Sequence, residues 1–251
     1  MKKVKSFVRA LVAMSLCLLA VPSFRSAEAH IREVRAAELS LARTVEPPSL
    51  AAGLVDMTVA EQAGVSADVL NLALRAISCA TTTGAIDVPP TLTLIDYSRP
   101  SIEPRLWVFD LATGNLLYKE LVAHGRNTGE NMSVSFSDQM NSRQSSIGLF
   151  ITRDTYVGSN GYSLRLDGLE PGFNGSALER AIVMHGAPYV NEEIAARQGR
   201  IGRSWGCPAL REAVARDVID TVRGGGVIFS YYPDQAWLNS SRFLNGCERA
   251  S

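Results

Sequence analysis

Gly202-Arg203-Ser204-Trp205-Gly206-Cys207-Pro208-Ala209-Leu210-Arg211 sets one thiol in a glycine-bearing loop, a short way downstream of a strand-like run that ends at His185-Gly186. Pro208 suits the first position of a helix. Leu210, Val214 and Val218 then recur at i and i+4, and the segment stops at Gly224-Gly225-Gly226, so the pattern predicts a helix with a glycine stop. On this reading Cys207 caps the helix, with its sulfur beside unpaired N–H groups and the positive end of the dipole, a setting that lowers a thiol pKa. Gly206 leaves room for a carbonyl, and the N–H groups of Gly206 and Cys207 would face a developing oxyanion. The same local sequence also suits a buried cysteine in a tight turn.

A nucleophilic thiol needs a base, and the chain holds only His30, His124 and His185. Along Arg180 to His185, residues Ala181, Val183 and His185 point to one side and Ile182 and Met184 to the other, which brings the imidazole out at a strand end. His124 also ends an apolar run and also precedes glycine, so it competes with His185 for the role. A thiol and an imidazole within reach of each other permit acyl transfer through a covalent intermediate. No Cys-x-x-Cys or His-x-x-x-His spacing exists, so neither a metal nor any other cofactor is expected.

Around this pair the sequence reads as mainly β, in the α+β sense. Leu92 to Tyr97, Ile147 to Thr152, Tyr162 to Asp167, Arg180 to His185 and Val227 to Tyr232 are short apolar or alternating runs between turn residues. Arg105 to Asp110 and Leu116 to Ala123 form a hairpin across Thr113-Gly114-Asn115. Ahead of them, Val69, Leu70, Ala73, Leu74 and Ile77 recur at helical spacing from Ser66 to about Cys79. The polar interval from Gly125 to Ser146 is too long for a hairpin turn, and reads either as a functional loop over a site or as a mobile insertion.

Length and charge narrow the function class. The 251 residues fit one main domain behind an N-terminal extension, and 25 basic against 25 acidic residues give no field for nucleic acid. Lys2, Lys3, Lys5 and Arg9 precede the apolar run Ala10 to Val21, then Pro22 and small residues near Ala29, the layout of a secretory signal peptide. The run is shorter than the roughly 20 residues of a spanning helix, so no membrane anchor is expected after cleavage. Removing residues 1–29, and Cys17 with them, leaves Cys79, Cys207 and Cys247, an odd count for an oxidising compartment. If Cys79 and Cys247 pair, Cys207 is the free thiol; the arithmetic equally allows both to stay reduced. Residues 30–90 then form a helical lead-in and 91–251 the catalytic domain.

Several segments together resemble the L,D-transpeptidase catalytic domain, the YkuD-like fold, in its murein L,D-transpeptidase branch. They are His124-Gly125-Arg126-Asn127-Thr128-Gly129, Ser145-Ser146-Ile147-Gly148-Leu149-Phe150, Gly161 to Glu170, Ile182-Val183-Met184-His185-Gly186-Ala187 and Gly202 to Ala209. The resemblance implies a β-sandwich of mixed sheets with a helix after the catalytic cysteine loop. It implies that Cys207 attacks the carbonyl of the third residue of a peptidoglycan stem, expelling the terminal D-alanine, with His185 as base and the Gly186 carbonyl orienting it. Ser204, three residues before the cysteine, would support the loop or the oxyanion hole. Arg203, Arg211, His124 and Trp205 are the expected substrate-side residues, an arginine holding a stem carboxylate. The chain departs from the family at Trp205, where a histidine usually precedes the Gly-Cys pair, and at Ala209, where an arginine often stands. The partners implied are peptidoglycan stem peptides, and an envelope protein or water as alternative acceptors, in the periplasm or cell envelope. A non-catalytic member that binds or scaffolds wall peptides is the other reading, kept open by Trp205.

Overall fold

The computed structural model describes residues 54–247, so the signal-peptide segment and residues 30–53 of the lead-in lie outside the described residues. Two N-terminal helices, α1 (Met57–Gln62) and α2 (Ala67–Thr82), precede strands β1 (Thr91–Asp96), β2 (Leu106–Asp110) and β3 (Leu116–Glu120). Strands β4 (Gly148–Gly158), β5 (Gly161–Gly168) and β6 (Val183–Gly186) follow. After them come α3 (Glu192–Gln198), β7 (Ala209–Leu210), α4 (Glu212–Val222), β8 (Val227–Tyr231), α5 (Gln235–Ser240) and α6 (Arg242–Asn245). All eight strands join one mixed sheet in the order β3-β2-β1-β8-β4-β5-β6-β7. The β1–β8 and β6–β7 pairs are parallel and the others antiparallel, so the fold is mainly β, as the sequence predicts.

The central strands are apolar on both faces because both faces are covered. Leu92, Leu94, Trp107, Phe109, Val227 and Phe229 point to one side, where α2 buries Val69, Leu70, Ala73, Leu74 and Ile77 against them. Ile95, Leu106, Val108, Phe150, Leu166 and Ile228 point to the other, packed with Val218, Ile219 and Val222 of α4. Asp56 caps α1 through the N–H groups of Thr58 and Val59. Cys79 on α2 is disulfide-bonded to Cys247, which ties the helix to the C-terminal segment, and Cys207 is the free cysteine among the described residues. No helix among them is long and apolar enough to cross a membrane.

The helix after the cysteine loop starts later than its sequence suggests. Ala209 and Leu210 form β7 instead: the Ala123 N–H donates to the Ala209 carbonyl at 2.8 Å, and the Ala187 N–H to that of Leu210 at 2.9 Å. The N-cap of α4 is Arg211, not Cys207. Likewise β6 begins only at Val183, because Ala181 has φ +52° and ends a tight turn in which Ile182 N–H bonds to Ala177 O.

Candidate active site

Strand β7 brings the cysteine loop alongside β6, the strand that carries His185. His185 pairs with Ala209 in the parallel β6–β7 ladder, so two residues earlier Cys207 lies alongside Val183. The Val183 N–H points at Sγ at 3.5 Å, and Sγ–H reaches the Ala181 carbonyl at 3.7 Å. Val183 and His185 project to the same face of β6, and the two backbone contacts hold Sγ against the start of that strand. Burial pushes the thiol pKa above its ordinary value, opposed by the Val183 N–H and the Arg180 charge. The helix-dipole effect expected for Cys207 is absent, since α4 begins five residues on.

His185 is held in one tautomer. Its Nδ1 lies 2.9 Å from the Gly186 carbonyl, which can only accept, so Nδ1 carries the proton and Nε2 the lone pair. Burial lowers its pKa from the ordinary histidine value. The hydrogen bonds of the thiol go to backbone rather than to the imidazole. Such contacts are often long before substrate binds.

The cysteine loop is pinned from within. Ser204 Oγ donates to the Cys207 carbonyl at 2.6 Å and accepts the Gly206 N–H at 3.1 Å. Ser204 thus supports the loop, while the Gly206 N–H is already engaged and is not available as an oxyanion donor. Gly206 is required: it has φ +130°, and a Cβ there would meet Gln144 O at 2.8 Å.

The four expected substrate-side residues divide. Arg211 makes a bidentate pair with Glu120, both contacts 2.8 Å. Arg203 bonds to Glu130 at 2.6 Å and to the Gly129 carbonyl at 2.9 Å, bracing the 126–130 turn. Internal carboxylates therefore occupy both arginines proposed for the stem. His124 is 1% exposed. Its Nδ1 accepts from Arg105 at 2.8 Å and its Nε2–H donates to Gly129 O at 3.3 Å, so both ring nitrogens are engaged within the protein. Burial first, then the Arg105 charge, pull its pKa down to about 4. Trp205 alone stands open, with the Arg143 guanidinium 4.7 Å above its ring.

Two buried arginines escape the sequence reading. Arg180 donates from Nη1 to Ser137 O and Ser146 Oγ, both 2.6 Å, and from Nη2 to Gln144 O at 2.7 Å and Ser142 Oγ at 3.0 Å. It gathers the Gly125–Ser146 segment onto the site and holds a positive charge near the thiol. Arg105, fully buried, donates to Val122 O and Arg99 O besides His124. The only advance signal is indirect: a loop rich in serine carbonyls and hydroxyls calls for a buried donor, and Arg180 stands at the edge of an apolar run. Among the described residues no group of three or more His, Cys, Asp or Glu could hold a metal.

The model of the L,D-transpeptidase catalytic domain matches residues 61–231. The chain belongs to this family. The match takes in α2, well ahead of the segments from His124 onward that carry the resemblance. Among solved structures, the L,D-transpeptidase from Mycobacterium smegmatis is similar at 15% identity over 57% of this chain and 59% of its own, with a TM-score of 0.37. An L,D-transpeptidase from Stackebrandtia nassauensis gives 11% identity, 70% and 75% coverage and a TM-score of 0.36. The helical cell shape determining protein of Campylobacter jejuni gives 10%, 64%, 56% and 0.39. The chain thus spans about three-fifths of the first of these relatives. No match is found among curated proteins.

Proposed function

We propose that this L,D-transpeptidase family member is an exported cell-wall acyltransferase in which Cys207 forms a thioester with the third residue of a peptidoglycan stem tetrapeptide. The observation that carries the reading is His185: its Nδ1–H is committed to Gly186 O, which leaves Nε2 as a base on the strand whose first residue, Val183, contacts Cys207 Sγ. A thiol held protonated by burial needs such a base at the moment of attack. The Sγ–C bond forms as the thiol proton passes to Nε2. The C–N bond then breaks, and the imidazolium returns that proton to the departing D-alanine amine. A stem amine, a protein lysine or water resolves the thioester, its proton taken by the imidazole. The N–H of Cys207, beside its own sulfur, is the backbone donor left for the oxyanion. The basic and apolar N-terminus and the Cys79–Cys247 bridge support export to an oxidising envelope compartment.

The test is to incubate the mature protein with tetrapeptide muropeptides and read the products by mass. Wild type is expected to yield cross-linked dimer or tripeptide, and Cys207→Ala and His185→Ala neither. A folded wild type that gives neither product overturns the reading. The depth of the thiol favours one second reading, a non-catalytic wall-peptide binder; a carbapenem adduct on Cys207 counts against it.

A further inference from the structure

We propose that Arg143, stacked on Trp205, recognises the free C-terminal carboxylate of the peptide whose carbonyl Cys207 attacks. The inference rests on the acyl-transfer reading and names the group that selects its substrate. A cavity of about 240 Å³ opens beside the cysteine loop, lined by Met140, Asn141, Arg143, Arg180, Ile182 and Trp205. It adjoins the nucleophile: Ile182 sits between the two residues whose backbone touches Sγ, and Trp205 is two residues before Cys207. The volume falls below the ~300 Å³ of typical small-molecule pockets and suits the end of a peptide. Met140, Ile182 and the indole give it an apolar wall for a small side chain, and the arginines give it charge.

Only one of those arginines is available. Arg180 has its guanidinium engaged by four oxygens and is buried. Arg203 and Arg211 face internal carboxylates. The Arg143 guanidinium makes no hydrogen bond or ion pair among the described residues and lies over the Trp205 ring. A guanidinium held over a ring without hydrogen bonds keeps its forked N–H groups for a carboxylate.

The backbone is built to present it. Asn141 and Arg143 both lie in the left-handed region, at φ +59° and +56°, which is unfavourable for side-chain-bearing residues. Surrounding bonds hold them there: Asn127 N–H to Arg143 O at 3.1 Å and Asn127 Nδ2 to Ser142 O at 2.8 Å. Arg180 grips Ser142 and Gln144 on either side. Strain so fixed turns the Arg143 side chain out toward the open indole.

The experiment uses the Cys207→Ala chain, which leaves peptides intact, and two tetrapeptides that differ only in a C-terminal acid or amide. Binding is read from tryptophan emission: Trp205 is 69% exposed, whereas Trp107 and Trp237 are fully buried, so a ligand at the cavity moves the Trp205 signal. The acid is expected to bind about ten- to a hundredfold more tightly than the amide, the range for one charge-assisted contact. Adding Arg143→Gln should bring the two within ~twofold, and Arg143→Lys should keep part of the preference, since a point charge lacks the fork. An acid-to-amide ratio unchanged by Arg143→Gln, or binding of neither peptide to a protein folded by circular dichroism, overturns the proposal. Turnover is assayed separately. Acid-selective, Arg143-dependent binding without products from wild type would sink the acyl-transfer reading and leave the carboxylate site standing.

Discussion

His124 and His185 both stand beside a glycine at the end of an apolar run, and the fold makes one a strut and leaves the other a lone pair on Nε2. The difference lies in what meets Nδ1. At His124 that atom faces Arg105, which can only donate, so Nδ1 must accept and Nε2 must carry the proton, and Gly129 O accepts the Nε2–H hydrogen bond. At His185 the atom faces the Gly186 carbonyl, which can only accept, so the tautomer is reversed and Nε2 keeps a lone pair. Burial lowers both pKa values, so burial does not tell the two apart. The hydrogen-bonding partner does.

The largest break in that comparison comes from His185→Ala. Loss of a positioned base is expected to slow acylation of Cys207 by about 10²–10⁴-fold while the unfolding midpoint stays close to wild type. Rates of carbapenem adduct formation and a denaturant melt measure the two halves. An equal slowing in His124→Ala with its fold intact would reverse the assignment. The acid limb of wild-type acylation should fall below the ordinary histidine range, because His185 stays neutral to lower pH.

Next in size is the pH dependence of stability. His124 has a folded pKa of about 4 against an ordinary 6.5, so the unfolded chain binds the proton more readily between those values. Its contribution is therefore complete above pH 6.5 and is lost as pH falls toward 4, on the order of 3 kcal/mol in all. His185, shifted the same way, adds to the same slope. Urea melts from pH 7 to 4 on wild type, His185→Ala and His124→Gln separate them. The slope should persist in His185→Ala and flatten most in His124→Gln. At pH 7, His124→Ala should cost about 2 kcal/mol, since it leaves a buried Arg105 N–H without an acceptor. A melt unchanged from wild type would mean that water replaces the ring.

The sequence carries the strands well because Leu92/Leu94 against Ile95, and Trp107/Phe109 against Leu106/Val108, alternate with a period that only a sheet imposes. It also brings Cys207, His185 and Gly186 to notice; the fold sets His185 and Gly186 on β6 and Cys207 in the loop just ahead of the neighbouring β7. It does not carry β7. Two residues have no period, Pro208 looks like a helix start, and Leu210 fits the α4 repeat although its side chain belongs to the sheet. The helix-end environment expected for the thiol fails because of β7, and burial then sets the thiol pKa. Nor does sequence tell an arginine that binds substrate from one that binds its own chain. Arg203 and Arg211 stand nearest the cysteine, yet Glu130 and Glu120 reach them across 73 and 91 residues. Arg105 and Arg180 look like ordinary strand-edge cations until the carbonyls around them are assembled.

The smallest expected effect decides whether the two histidine regions act separately. Ser145 bridges them: its Oγ accepts the Gly125 N–H at 3.0 Å, just after His124, and donates to the Gly206 carbonyl at 3.1 Å, just before Cys207. Ser145→Ala leaves two buried backbone groups unpaired and should cost ~1–2 kcal/mol by chemical denaturation. Acylation should stay within about threefold of wild type, because the site's geometry has other supports. Ser204 grips both Gly206 and Cys207, and a Cβ on Gly125 would already meet Gly206 Cα at 3.0 Å, so the two backbones are closely packed without the hydroxyl. If Ser145→Ala instead slows acylation as much as His185→Ala does, the Arg105–His124 cluster positions the nucleophile through Ser145, and the strut belongs to the catalytic machinery.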